Sequence, residues 1–235
     1  MAGERFRMAG LAKRFPKSIH RILGGFINAV YPRLCLGCGK EGDVLCITCD
    51  RSFKTRLIER DHQISLCDYH DPIFGKLLHV WKFGFDDQAG QLLKILIDSH
   101  AKDLASWSRK QDIHAIVAIP SHETRVRERG FDQAKELAIE LSAVLSIPVI
   151  TPLSRRRYTG HQSKLNKLQR QKQMSDNPFT LITSNHKEVF NSQQYKNILL
   201  VDDVITTGST MGAAEEILNH AGVEEVYRFS LAFAV

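Results

Sequence analysis

The sequence predicts an α/β fold, a parallel sheet flanked by helices, with a small four-cysteine module ahead of it. Three observations carry that prediction. Short apolar runs rich in branched residues stop abruptly at polar loops, as at Ile113–Ile119 and Ile198–Val201. Such runs read as strands buried on both faces. Stretches of helical periodicity separate them, the alternation that gives right-handed crossovers between parallel strands. Four cysteines stand in two Cys-x-x-Cys pairs before the first of these strands.

The chain has 235 residues and a formal net charge of +6. That length holds one α/β domain with a small attachment, or two modest domains. The expected division is a basic helical segment over 1–30, a metal module over 31–60 and an α/β domain over 61–235. The cations concentrate in residues 5–21 and 155–172, and the second stretch contains no acid. Clustered cations suit an anionic partner, either phosphates or nucleic acid. A merely solvated basic loop is the alternative reading. The apolar stretch Ile22–Tyr31 is too short to span a bilayer and is interrupted by two glycines and Asn28. A secretory leader pattern is missing, so the expected compartment is the cytoplasm. The Arg-rich residues 5–30 would dock on the protein or lie on a membrane surface.

Cys35, Cys38, Cys46 and Cys49 form the metal module. Two Cys-x-x-Cys knuckles can present four thiolates to one zinc ion, and a site with all four positions filled by protein is structural. Disulfides are the alternative, disfavoured in a chain without a leader. Cys67, His62 and His70 read as packing or surface residues. Ile73, Leu77, Leu78 and Trp81 then give helical spacing over 71–82, and 82–86 breaks it. A second helix is expected over 87–106, a strand over 113–119 and a polar loop over 121–130. Ala134, Leu137, Leu141 and Leu145 mark a helix over 132–145. Further strands are expected at Pro148–Leu153, Ile198–Val201 and Val226–Ala234. Residues 154–177 form a long basic loop, of a length that is usually a functional lid or disordered.

The most informative stretch is residues 198–210. A strand ends on Asp202 and Asp203, and the loop Thr206-Thr207-Gly208-Ser209-Thr210 leads into a helix. Strand ends of open α/β sheets are where ligands bind. Backbone N–H groups at a helix N-terminus suit a phosphate. The two carboxylates repel a phosphate and suit sugar hydroxyls or a hydrated magnesium ion. Together they imply a phosphorylated sugar. A solvated acid pair beside an ordinary helix cap is the alternative. Neither a P-loop nor a dinucleotide glycine pattern occurs. Ser121, His122 and Arg125, at another strand end, are candidates to grip a pyrophosphate. Arg155, Arg156, Arg157, Lys164 and Lys167 are candidates for nucleic-acid contact.

The 198–210 stretch closely resembles the phosphoribosyl pyrophosphate (PRPP) motif of type I phosphoribosyltransferases. In that family the two acids bind the ribose hydroxyls and the loop holds the 5-phosphate. Nearly the whole chain resembles the ComF family. The match runs through Tyr31-Pro32-Arg33-Leu34-Cys35, Trp81-Lys82-Phe83, Arg129-Gly130-Phe131-Asp132-Gln133-Ala134, Thr159-Gly160-His161-Gln162 and Ser230-Leu231-Ala232. Two departures stand out. Asp132 replaces the usual Asn, and the Arg-x-x-Asn pattern of the long loop appears as Arg170 with Gln173. The resemblance implies a zinc module joined to a type I phosphoribosyltransferase-like (Rossmann-like) domain, binding PRPP with magnesium. It also implies a role in natural transformation, with single-stranded DNA and a DNA-uptake helicase or membrane channel as partners. Two readings of different class stay open. One is catalysis, with Arg125 or a neighbouring loop cation stabilising the departing pyrophosphate, in nucleotide or small-molecule metabolism unrelated to DNA uptake. The other is a non-catalytic binding module. A regulatory PRPP sensor is a lesser third. The acceptor and the oligomeric state are not legible.

Overall fold

A computed structural model describes residues 33–83, 87–155, 177–184, 187–188 and 194–233. The chain divides into two compact units, Met1–Lys54 and Thr55–Val235.

In the first unit, the N–H of Gly39 donates to the Cys35 carbonyl and the N–H of Cys35 donates to that of Lys40, at 2.9 and 2.8 Å. These bonds fold the first cysteine pair into a knuckle. Gly39 closes it at φ +74°, a conformation a side chain would strain. Helix α1 (Ile47–Ser52) follows directly on Cys46 and carries Cys49. Among the described residues of this unit, Cys35, Val44 and Phe53 are buried.

The second unit is built on a six-stranded sheet. Its elements in chain order are β1 (Ile58–Arg60), β2 (Gln63–Asp68), α2 (Pro72–Phe83), α3 (Asp87–Ser99), α4 (Ala101–Lys110), β3 (Ala115–Ala118), α5 (Glu123–Arg129), α6 (Gln133–Leu145) and β4 (Val149–Ile150). Then come β5 (Leu153–Arg155), β6 (Phe179–Leu181), β7 (Thr183–Ser184), β8 (Lys187–Glu188), β9 (Asn197–Ile205), α7 (Ser209–His220) and β10 (Glu225–Phe233). The sheet order is β1-β2-β10-β9-β3-β4. All pairings are parallel except β1 with β2. The β5–β6 and β7–β8 pairs form two small separate antiparallel sheets.

The strands at the centre are buried on both faces. Ile198 and Leu200 of β9 join a core with Val117, Met211, Ala214, Leu218 and Phe179. That places α7 and β6 on one face. Leu199 and Val201 alternate with them and are equally buried, so they occupy the other face. α6 meets β3 and β9 through Leu137 and Leu141.

Three expectations need correction. The helix expected over 87–106 is two helices, broken at His100. There the Ser99 hydroxyl donates to the Leu96 carbonyl and His100 Nε2 bonds Thr55 Oγ1, at 2.7 and 2.9 Å. Such side-chain bonds compete with helix continuation. The expected strand Pro148–Leu153 is divided by Pro152, which lacks an N–H donor. β4 stays in the main sheet, while β5 pairs with β6. The polar loop 121–130 contains α5. His122 caps that helix, its Nδ1 accepting the Thr124 N–H, and Gly130 ends it at φ 84°. The sheet is parallel as expected apart from one edge, where β1 pairs with β2 in an antiparallel hairpin.

Candidate functional site

The order in which the chain adds strands reverses between the parallel neighbours β3 and β9. From β3 the chain moves outward to β4, and from β9 it moves the opposite way to β10. Connections therefore diverge at the C-terminal ends of these two neighbours and leave a crevice, as at other switch points of open α/β sheets. A cavity of about 210 Å³ lies there, lined by residues from both strand ends: Ile119, Pro120 and Ser121 beyond β3, and Asp202, Asp203 and Val204 on β9. Its other lining groups include Lys82, Arg125, Gln133, Arg155 and Thr210.

Asp202 and Asp203 still lie in the strand, which runs on to Ile205. The apolar run ends at Val201, but the ladder to β10 does not. Successive side chains of a strand point to opposite faces, so the two acids approach the cavity from different sides of the sheet. Cations reach them from two elements, and Lys82 acts on both acids. Lys82 Nζ of α2 lies 2.8 Å from Asp203 Oδ2, with the two side chains only 18% and 16% exposed. On the α7 side Arg155 of β5 is electrostatically coupled to Asp202. Its guanidinium donates to the Pro120 carbonyl at 3.4 Å and lies over the Phe179 ring, 5.4 Å from the centroid. Burial and the neighbouring Asp203 charge push the Asp202 carboxyl up to about 7, against the Asp203 backbone N–H, Lys82 and Arg155. That N–H donates to Asp202 Oδ1 at 2.8 Å. Asp202 is thus poised to hold a proton near neutrality, and the carboxylates can accept donors from a polyhydroxyl ligand.

The loop after β9 turns at Gly208, which caps α7 at φ 73°. A Cβ there would lie 3.6 Å from an Arg228 guanidinium nitrogen, so left-handed geometry, more than crowding, requires glycine. Thr207 Oγ1 accepts the Ser209 N–H and donates to Ser209 Oγ, at 3.4 and 3.0 Å. Buried Met211 anchors the first turn of α7 in the core. The remaining first-turn N–H groups stand beside Thr210 at the cavity, where the helix dipole favours an anion.

The site residues expected from sequence are therefore only partly brought together. Asp202, Asp203, Thr210, Ser121 and Arg125 line one cavity. Thr206, Thr207, Gly208 and Ser209 form the adjoining turn. His122 is the α5 cap described above. Arg155, grouped by sequence with the basic loop, lines the same cavity as the acids. Arg156, Arg157, Lys164 and Lys167, and most of the 154–177 loop, lie outside the described residues. Lys82 and Gln133 received no role from the sequence. Gln133 is 2% exposed and opens α6 at the cavity wall. Both sat within motifs that carried the family resemblance, which was the available signal. Asp132, the departure from that pattern, accepts the Ser121 hydroxyl at 3.0 Å and caps α6 through the Lys135 N–H at 3.4 Å. Aspartate and asparagine serve that capping role equally.

In the first unit the sulfurs of Cys35, Cys38, Cys46 and Cys49 all lie within 4.8 Å of one another. Cys38 and Cys46 are 3.7 Å apart. A tetrahedron with Zn–S bonds of about 2.3 Å spaces its sulfurs by about 3.8 Å, so the cluster could hold a zinc ion. His62 and His70 are not part of it. Burial pushes the Cys35 thiol up, but backbone N–H groups of Cys46, Cys38 and Gly37 outweigh it and bring it down to about 6. Hydrogen bonding with the Cys46 thiol leads the groups that push Cys49 up to about 12.

A family model described as the phosphoribosyl transferase domain matches residues 92–233. Competence protein ComFC of Bacillus subtilis is 31% identical over 205 residues, covering 83% of this chain and 75% of that protein. The chain belongs to the ComF family of phosphoribosyltransferase-like proteins. Competence protein F of Haemophilus influenzae is 29% identical over 201 residues, 85% of this chain and 84% of that protein. Among solved structures, a purine phosphoribosyltransferase from Pyrococcus horikoshii aligns with 58% of this chain and 72% of its own at 20% identity, with a TM-score of 0.37. The family match spans every element of the switch-point cavity except Lys82 on α2, which precedes residue 92. No helix among the described residues is long and apolar enough to cross a membrane.

Two outcomes are expected. Elemental analysis should find one zinc per chain, lost in Cys46→Ser, and stripping it should remove on the order of 10 kcal/mol of local folding energy. Retention of stoichiometric zinc in that variant would exclude the four-sulfur site. The second outcome concerns Asp202, whose folded-state pKa stands above its unfolded value of 3.8. The folded chain then holds an extra proton between about pH 4 and 7, and stability falls as pH rises through that window. Asp202→Asn should therefore raise Tm near pH 7.5 by about 2 °C or more, as expected for about 1 kcal/mol in a domain of this size. The gain should shrink toward pH 4, measured by thermal melts across pH.

Proposed function

We propose that this ComF-family protein binds PRPP with magnesium and acts in natural transformation, in the handling of incoming single-stranded DNA. The observation that carries the first part is the switch-point cavity. It combines an acid pair for ribose hydroxyls, a helix-capping turn for the 5-phosphate, and cations facing the remaining volume. In this reading Asp202 and Asp203 accept the ribose 2- and 3-hydroxyls. The Thr206–Thr210 turn cradles the 5-phosphate. Ser121 and Arg125 face the pyrophosphate, and the acid pair together with that pyrophosphate offers magnesium the oxygen ligands it prefers.

Transfer chemistry, if the cleft performs it, would draw its rate from positioning and from cations aimed at the leaving pyrophosphate. The names of the two relatives, both competence proteins, support the transformation role. The basic residues 155–172 support single-stranded DNA as a partner, with an uptake helicase or membrane channel beyond it.

Calorimetry with PRPP and magnesium tests the ligand. Asp202→Asn/Asp203→Asn should weaken binding about 100-fold or more, since two hydrogen bonds to charged groups at about 1.5–3 kcal/mol each are lost. Absence of PRPP binding by the wild-type protein would sink this reading. The cellular role is tested by transformation frequency in a strain carrying the same two substitutions at normal protein level. Transformants should fall while growth is unchanged. Normal transformation with a growth defect relieved by a nucleobase would favour the metabolic alternative.

A further inference from the structure

Lys82 stands apart from the other groups in the cleft. It reaches the strand ends from α2, outside both the acid-bearing strand and the loop beyond β3. We propose that Lys82 is a ligand-contacting residue that bridges the Asp203 carboxylate to the anomeric diphosphate of the bound phosphosugar. This inference rests on the reading of the cavity as a PRPP site.

Four observations support it. The first is placement. Lys82 lines the same cavity as Ser121, Arg125 and Arg155, so its ammonium shares the volume left for the diphosphate once the acids and the Thr206–Thr210 turn have taken the sugar and the 5-phosphate. The second is donor capacity. An ammonium has three N–H donors, and the 2.8 Å contact to Asp203 Oδ2 uses one. The third is charge. Lys82, Arg125 and Arg155 face Asp202 and Asp203, an excess of cations that suits a ligand bearing several negative charges. The fourth is that packing does not need Lys82. α2 is anchored by Phe74, Leu77, Leu78 and Trp81, all buried. A largely buried ion pair contributes little net stability, because desolvation offsets most of the attraction. Fold stability therefore gives weak reason for a lysine to be held at this position.

The rigid helix fixes where the Lys82 stem begins, and its four carbons let the head adjust. Asp203 holds that head against the cavity wall and gives it a defined direction before ligand arrives, which lowers the ordering cost of binding. A ribose hydroxyl can still donate to Asp203, because a carboxylate accepts at both oxygens. Lys82 thus joins the sugar-binding and diphosphate-binding halves of the cleft.

The test compares two probes, PRPP and ribose 5-phosphate, at fixed magnesium, by calorimetry on the full chain. Ribose 5-phosphate keeps the hydroxyls and the 5-phosphate and lacks the diphosphate. Lys82→Gln should weaken PRPP about tenfold or more and change ribose 5-phosphate by less than about twofold, the first corresponding to about 1.4 kcal/mol. Lys82→Arg, which keeps the charge, should restore most of the PRPP affinity and serves as the check that the site folds. Equal loss for both probes would reduce Lys82 to a counter-ion of Asp203 and overturn the inference, as would no loss for either. Tighter binding of both in Lys82→Gln would overturn it in the other direction, marking the lysine as a competitor. If the wild-type protein binds PRPP and the Asp202/Asp203 variant does not, while Lys82→Gln is neutral, only this inference falls. If the wild type binds neither probe, the PRPP reading falls with it.

Discussion

Two adjacent carboxylates at the end of a buried strand are the constraint on which the rest of the second unit depends. A strand directs neighbouring side chains to opposite faces, so cations can reach the pair from both sides of the sheet. The fold answers with two, from different elements. α2 brings Lys82 to Asp203, and the β5–β6 pair brings Arg155 toward Asp202. Arg155 is in turn held by the Pro120 carbonyl and the Phe179 face. Phe179 is fully buried in the core that α7 shares with β9. The acid pair, the small second sheet and the α7 core are therefore mechanically linked.

The compensation is incomplete, and that is chemically useful. Asp202 remains pushed up to about 7 in spite of the cations around it. A site tuned for stability alone would replace one acid with an amide. Keeping both stores unfavourable electrostatics that a ligand with hydroxyl donors or a divalent cation relieves, so part of the binding free energy is prepaid in the folded chain. The four thiols of the first unit show the same logic. Against burial, backbone N–H groups bring the Cys35 thiol down, while hydrogen bonding with the Cys46 thiol leads in pushing Cys49 up, a disparity that one shared cation would resolve.

Much of this was legible in the sequence because the signals were local. The apolar runs at 113–119 and 198–201 specify strands whatever surrounds them. The two Cys-x-x-Cys pairs fix their own geometry, and the Asp202–Thr210 stretch carries its turn chemistry in consecutive residues. The misread features depend on distant partners. Nothing local reveals that His100 finds Thr55 and ends a helix, or that Leu153–Arg155 pairs with Phe179–Leu181. Arg155 is the instructive case. In sequence it opens a run of three arginines and looks like part of an exposed basic loop. The β5 ladder instead places it over Phe179 at the cavity wall. Lys82 is the converse, a single cation at the end of an apolar helix, invisible as a site residue until Asp203 is found beside it.

Those two cations also bear on what distinguishes this cleft within its fold class. A helix N-terminus with paired acids, taken alone, suits a phosphorylated sugar and says little more. Discrimination between a sugar phosphate and one activated by a diphosphate must come from groups that reach the remaining volume. Such groups are worth most where water is excluded and the charges are already oriented. Lys82 is oriented by Asp203, and Arg155 by Pro120 and Phe179, before any ligand arrives. Arg125, exposed on α5, lines the same cavity and is the more adaptable of the three. On the proposed PRPP reading, selectivity for the activated sugar resides in the two cations that the packing of the domain holds still, and a substitution in the Phe179 core would act on that ligand through Arg155.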